Sequence, residues 1–208
     1  MSNDINTLKF DDLKWIQASK TEGDNGVVVE VADVKGFDLR AIRATSTYDV
    51  TAEQLRARIM DMDNFTKWVN SAVKAEVIHK IADNIQAVYC EHHAPWPVKN
   101  RDGVIIQHAV RLDEKTICVN LYANNDLAKE KKGLVRVEYV QGAWILEDIG
   151  NGKTKLTYQV HSDPNGNIPD WLINSMISEA PTSTLTNLHK VDFSIYPPEN
   201  RDLDLSVS

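Results

Sequence analysis

The sequence predicts an α+β fold in which a curled antiparallel sheet wraps round one long C-terminal helix. Three observations carry this. From Val73 to Ser162, runs rich in Val, Ile, Tyr and Thr are separated by turn-forming pairs, the pattern of an antiparallel meander. From Ile168 to Phe193 the apolar residues change to a helical period. Neither an internal repeat nor a polar linker divides the 208 residues. With 42% hydrophobic and 25% charged residues, the chain fits one domain large enough to bury roughly 70% of its unfolded surface.

Thr7 to Lys20 reads as a short helix with Leu8, Leu13 and Ile16 apolar and Trp15 as its largest residue, broken by Thr21-Glu22-Gly23-Asp24-Asn25-Gly26. Val27 to Val31 and Leu39 to Tyr48 form a hairpin of two β-rich strands around Lys35-Gly36. Thr51 and Gln54 have the spacing of a capping box, and Leu55, Ile59 and Met60 give the stripe of the helix that follows. A second short helical piece surrounds Phe65, Trp68 and Val69. Turns of the meander are expected at Asp83-Asn84, Pro95 to Gly103, Asp113-Glu114, Asn124 to Gly133, Gln141-Gly142 and Asn151-Gly152. Ile117, Val119 and Leu121 alternate with Thr116, Cys118 and Asn120, and Val135, Val137 and Tyr139 with Arg136 and Glu138, so each strand offers one apolar face. Residues 1–193 are thus one domain, and the Pro- and Asp-rich residues 194–208 form a loosely held tail.

The last helix follows the turn-rich Asp163-Pro164-Asn165-Gly166-Asn167 and Ile168-Pro169, and carries Pro181 in its middle. On a wheel, Ile173, Met176, Ile177, Ala180, Thr184, Leu188 and Val191 share one side, while Asn174, Ser178, Thr182, His189 and Asp192 fall largely on the other. The apolar stripe weakens at Ala180 and Thr184, where a helix sealing a packed core would carry Leu or Ile. Two readings stand: ordinary packing on the sheet, or a ligand against that turn.

A net charge of −7 argues against nucleic acid or an anionic membrane bound through a broad basic face. The densest lysine run, Lys129, Lys131 and Lys132, reads as a solvated loop. Residues 1–6 lack the basic and apolar regions of a secretory signal, and no window reaches the length of a membrane span. The chain as written is expected to be a soluble cytoplasmic monomer, or periplasmic or secreted if a leader has been removed. Cys90 and Cys118 are two ordinary thiols.

Catalytic and metal motifs are lacking: there is no HExxH, CxxC, G-x-S-x-G or glycine-rich phosphate loop. His92 and His93, adjacent in a strand, point to opposite faces and cannot readily share a metal. Neither metal nor cofactor is expected. Arg101-Asp102 reads as an ion pair fixing the loop that enters its strand.

The chain resembles the START domain, the helix-grip lipid-binding module related to StAR and its bacterial single-domain members. The matching marks, in order, are Trp15, Gly26-Val27-Val28-Val29, Trp68, Pro95-Trp96-Pro97 before Arg101-Asp102-Gly103-Val104, Val135-Arg136-Val137 before Trp144, Lys153-Thr154-Lys155-Leu156-Thr157-Tyr158, and Asp163-Pro164-Asn165-Gly166 with Ile168-Pro169. They run from about Trp15 to Val191, and their order and spacing together are specific.

The resemblance implies a tunnel between sheet and C-terminal helix that holds one hydrophobic molecule, a lipid, for transport or sequestration. It places Ile177, Ala180, Thr184 and Leu188 on the tunnel roof and points Ile117, Val119, Leu121, Val135, Val137 and Tyr139 inward. Registration on Arg101-Asp102 adds Val88, Cys90, Ile105, Gln107 and Ala109, although the opposite face, Val104, Ile106, His108 and Val110, is the more apolar. Some sterol-binding members carry an acidic and a basic residue inside the tunnel; Val88 and Gln107 stand there in this chain, which points away from cholesterol. Two alternatives use the same cavity: a helix-grip cyclase or hydrolase, with Tyr139, His92, Glu91 and Gln107 as first candidates, or a ligand sensor. Opening is expected at Pro181 or at the loop Asn124 to Gly133, whose lysines would make transient, salt-sensitive membrane contact.

Overall fold

A computed structural model describes residues 8–198 apart from residue 24. The start of the chain and the acidic residues after Pro198, on which the readings of leader and tail partly rest, lie outside the described residues. The strands are β1 (Ile16–Lys20), β2 (Val28–Ala32), β3 (Ala41–Tyr48), β4 (Ala72–Ala82), β5 (Ile85–His92), β6 (Arg101–Arg111), β7 (Thr116–Ala123), β8 (Val135–Arg136), β9 (Tyr139–Gly150) and β10 (Lys153–Asp163). Their order across the sheet is β1-β2-β3-β10-β9-β7-β6-β5-β4, with β8 paired to β6. The last strand of the chain therefore lies beside β3, joining the N-terminal hairpin to the meander. All pairs are antiparallel except β6 with the two-residue β8.

The first helix, α1 (Ala52–Met60), starts at the expected capping box: the Thr51 side chain accepts from the Gln54 backbone, and the Gln54 side chain accepts from the Thr51 backbone. It packs on β7 and β9 through Leu55 and Ile59, both fully buried. A 3₁₀ segment, Met62–Lys67, follows and delivers Trp68 to the core.

Three expectations are corrected. The expected helix over 7–20 does not form where the chain is described: within residues 8–20, Phe10–Asp12 is one 3₁₀ turn, and Ile16–Lys20 is an edge strand pairing Ile16 with Val31 and Lys20 with Val28. Ladder bonds to β2 override the weak local helical pattern. Gln141-Gly142 is not a turn but lies inside β9, where Gly142 pairs with Val160 and Leu121. A Cβ there would stand 2.5 Å from the Gln159 carbonyl oxygen, so the glycine serves a close approach of two strands.

Arg101 and Asp102 do not pair with each other, because neighbours in a strand face opposite ways. Asp102 instead accepts from Arg136 Nε at 2.9 Å and Nη2 at 3.0 Å, and from the Tyr89 hydroxyl at 3.0 Å. Arg101 donates to the carbonyls of Lys99 and Asn165.

The C-terminal helix is not uniform. It comprises α2 (Asp170–Asn174), one π turn (Ser175–Glu179) and α3 (Ala180–Leu188). The Ala180 N–H reaches back five residues to the Ser175 carbonyl. Pro181 follows directly, and having no N–H it cannot bond the Ile177 carbonyl as a regular α-helix requires. The two halves are held unequally. In α3, Pro181, Thr184, Leu185 and Leu188 are buried, whereas no residue of α2 or the π turn is.

Candidate functional site

The inner face of the sheet follows from strand parity and from what packs together. Val29, Ala44 and Tyr48 from β2 and β3, Leu156 from β10, Trp144 and Leu146 from β9, and Ile117, Val119 and Leu121 from β7 share one core with Leu185 and Leu188 of α3. Its centre is aromatic: Trp144 stacks on Tyr158 with ring centroids 4.1 Å apart and meets Trp68 edge-on at 5.8 Å. At one side, Val88, Cys90 and Met62 form a second cluster that Ile105 joins to the first. Burial drives the Cys90 thiol up to about 12, leaving it neutral and unreactive.

Thus Val88, Cys90, Ile105, Ile117, Val119, Leu121 and Leu188 come together on the inside. Gln107 shares the parity of Ile105, is buried, and accepts from Gln86 Nε2 at 2.7 Å; Gln86 also donates to the Met60 carbonyl at the end of α1. Thr184 is buried too, its hydroxyl accepting from the Asn70 backbone at 3.0 Å. Val135 and Val137 take the inward parity at the sheet end beside the 163–167 turn, where Val135 lies against Gly166 and Val137 against Gly103. Ile177 and Ala180 are half-buried on the helix, and Ile177 borders a cavity with Ile42, Pro164, Ile173 and Met176.

Tyr139 departs from its expected place. It has the parity of Gln141 and Ala143, opposite to Trp144, and packs on the outer face against Phe37 and His161 while donating to Gln141 Oε1 at 2.6 Å. The cause is a change of partner. The Val137 N–H bonds the Asp102 carbonyl and the next N–H, of Glu138, bonds that of Asp163, so alternation does not carry across.

The apolar outer face of β6 also finds its reason. Val104 and Ile106 pack with Ala87, Tyr89 and Ala128, the last from the loop 124–133. Arg136, paired with Asp102, donates to the carbonyls of Ala128 and Lys129, and the Lys131 ammonium lies 3.8 Å from the centre of the Tyr89 ring. That loop is thereby clamped to the outer face of the sheet.

Two buried donors or near-donors on the inside were missed from the sequence. Gln86 has the parity of Val88 and was legible; the Trp68 indole N–H, buried without a partner, was not. The Gln107 amide NH₂ likewise has no partner among the described residues. The cavity beneath Ile177 measures only about 30 Å³, room for little more than one water molecule. No His, Cys, Asp or Glu cluster of three or more that could hold a metal occurs among the described residues. The enzyme candidates are also dispersed: Tyr139 is outside, Gln107 inside, and Glu91 and His92 sit at the far end of β5.

The START domain family model matches residues 5–185. The chain belongs to the START domain family. An uncharacterized protein of Pseudomonas aeruginosa is 31% identical over 165 residues, spanning 79% of this chain and 81% of its own length. The StAR-related lipid transfer protein of Xanthomonas axonopodis superposes with a TM-score of 0.76 at 32% identity, covering 85% of this START domain and 97% of that chain. The phosphatidylcholine transfer protein of Rattus norvegicus is 30% identical over 135 residues, 63% of this chain but 62% of its own. Among the described residues of this START domain, no helix is long and apolar enough to cross a membrane.

Proposed function

We propose that this START domain binds one lipid molecule between the inner face of the sheet and the C-terminal helix, and carries or sequesters it. The observation that carries the reading is the unequal hold on that helix. Its first half, residues 170–179, buries none of its own residues and meets the sheet only across a small cavity beside Ile42 and Pro164, and its π turn, residues 175–179, leads into the anchored α3. Such a segment opens at low cost, because little apolar surface is lost when it lifts.

A cavity of about 30 Å³ is far below the roughly 300–1,000 Å³ of a ligand pocket, so uptake requires the lid to move. Val88, Cys90, Ile105, Ile117, Val119, Leu121 and Leu188 would then meet the hydrocarbon, with Ile177, Ala180 and Thr184 above it and Val135 and Val137 at its end. Apolar surface so buried contributes about 25 cal/mol per Å². The Trp68 indole N–H, buried without a partner, and the Gln107 amide NH₂ would donate to the ester or headgroup oxygens of the lipid. No carboxylate joins them, which favours a phospholipid or fatty acyl ester over a sterol. The name of the phosphatidylcholine transfer protein among the relatives supports the same class.

Hydrogen exchange tests this. With phosphatidylcholine vesicles present, amides 170–179 are expected to slow while those of α3 stay unchanged, and labelled phosphatidylcholine should pass between vesicles. Exchange at 170–179 that no phospholipid, fatty acid or sterol alters would sink the reading.

A further inference from the structure

A second site lies away from the sheet interior. Between the 3₁₀ segment 62–67 and the end of α3 runs an open groove of about 400 Å³. Three cationic side chains, Arg58, Lys67 and Lys190, line it together with Asn64, Asn187 and one carboxylate, Asp192. In a chain of net charge −7 this is a local reversal of sign.

Neither lysine is ion-paired among the described residues. The Lys67 ammonium donates to the amide oxygen of Asn64 at 2.6 Å, and that of Lys190 to the amide oxygen of Asn187 at 3.2 Å. Each is thus steered by a neutral group three residues earlier, which leaves its charge uncompensated. Arg58 is almost wholly buried, donates to Tyr196 Oη and the Asn64 carbonyl, and has Asp61 Oδ2 at 3.7 Å. Its Nε–H is nevertheless buried without a partner, an unmet donor on a fixed cation beside the groove. Asp61 is already committed to Tyr196 and Asn64, and Asp192 to the Ser194 backbone.

We infer that this groove binds a phosphate group, gripped by Lys67 and Lys190 from its two walls with Arg58 at its floor. Two ammonium groups and a guanidinium match the three acceptor oxygens of a phosphate monoester, or the two free oxygens of a phosphodiester, better than a single carboxylate. The inference rests on residues other than those assigned to the lipid site, although Val191 packs against that core and the Arg58 guanidinium lies 6.0 Å from the centre of the Trp68 ring.

The test is titration of the full chain with inorganic phosphate and with glycerol 3-phosphate, following backbone amide shifts at constant ionic strength. Shifts confined to residues 64–67 and 187–192 are expected, and Lys67→Gln with Lys190→Gln should weaken binding by roughly tenfold or more, as loss of charge-assisted hydrogen bonds implies. Both substitutions are at groove-wall lysines whose removal leaves the core untouched. Shifts with these soluble phosphates identify a soluble ligand. Their absence, with binding to phosphatidylcholine vesicles containing phosphatidic acid that the double variant loses, identifies a headgroup. Equal shifts with sodium chloride, an undiminished response in the double variant, or binding that emerges only when residues 199–208 are removed would overturn the proposal.

Discussion

The Tyr48 hydroxyl donates to the Leu185 carbonyl at 2.8 Å, and its ring stacks on His189 at 3.9 Å between centroids. Through this pair β3 holds the end of α3, with Ser46 Oγ adding a 2.9 Å bond to His189 Nε2. Tyr48→Phe keeps the stacking and removes one buried hydrogen bond, so stability should fall by about 1 kcal/mol. Urea denaturation measures it, and exchange at residues 180–188 should quicken with it.

Pro181 bears on the other half of the helix. Pro181→Ala restores an N–H that can bond the Ile177 carbonyl, and the π turn is expected to relax toward an α-helix. The gain in helix propensity, up to about 3 kcal/mol before lost packing, should raise Tm. Release of bound lipid should slow, because the lid becomes continuous with its anchor; unchanged release would separate the π turn from opening.

Asp102 tests the clamp on the loop 124–133. Asp102→Asn leaves Arg136 buried without its counter-ion, and removal of one partner of such a pair costs about 3–5 kcal/mol. Limited proteolysis should then cut within 124–133, where the wild type resists. A stable variant with an uncleaved loop would contradict the clamp.

Burial holds the His161 imidazole below its usual pKa, with Nε2 against the Leu39 carbonyl at 3.1 Å and Nδ1 buried without a partner. A depressed folded pKa means that the unfolded chain takes the proton first. The stability this group contributes is whole above about pH 6.5 and is lost as pH falls from there through the folded pKa. Burial pushes His189 the same way, so His161→Gln should flatten, not abolish, the fall in stability between about pH 7 and pH 5. Identical slopes would show that His161 does not sense acid.

Gly142→Ala forces a Cβ to within 2.5 Å of the Gln159 carbonyl and 3.1 Å of Val160 Cα, both backbone. Neither can yield without parting β9 from β10, so a loss of more than about 2 kcal/mol is expected in thermal or urea unfolding.

The fold was legible where periodicity and local chemistry agreed. The Thr51 capping box, the hairpin turns at Lys35-Gly36 and Asn151-Gly152 and the one-sided strands follow from patterns a few residues long. Ile16 to Lys20 failed because an edge strand takes its structure from Val28 to Val31, which local propensity cannot see. Gly142 misled for a related reason: a glycine required by a close approach looks the same in sequence as one required by a turn. Strand parity groups Val88, Cys90, Ile105 and Gln107 on one face despite the more apolar alternative, whose cover, the loop 124–133, comes from elsewhere in the chain. It broke at Tyr139, where the strand changes partner. The π turn left only Pro181 as its trace.

The central claim, a lipid held beneath the C-terminal helix, is tested most directly by native mass spectrometry of the purified protein, followed by organic extraction and lipid analysis. The account predicts one lipid per chain, a phospholipid or acyl ester whose oxygens can meet Gln107 and Trp68, lost from Gln107→Leu more readily than from the wild type. A protein that is empty and takes up neither phospholipid, fatty acid nor sterol from vesicles would contradict it.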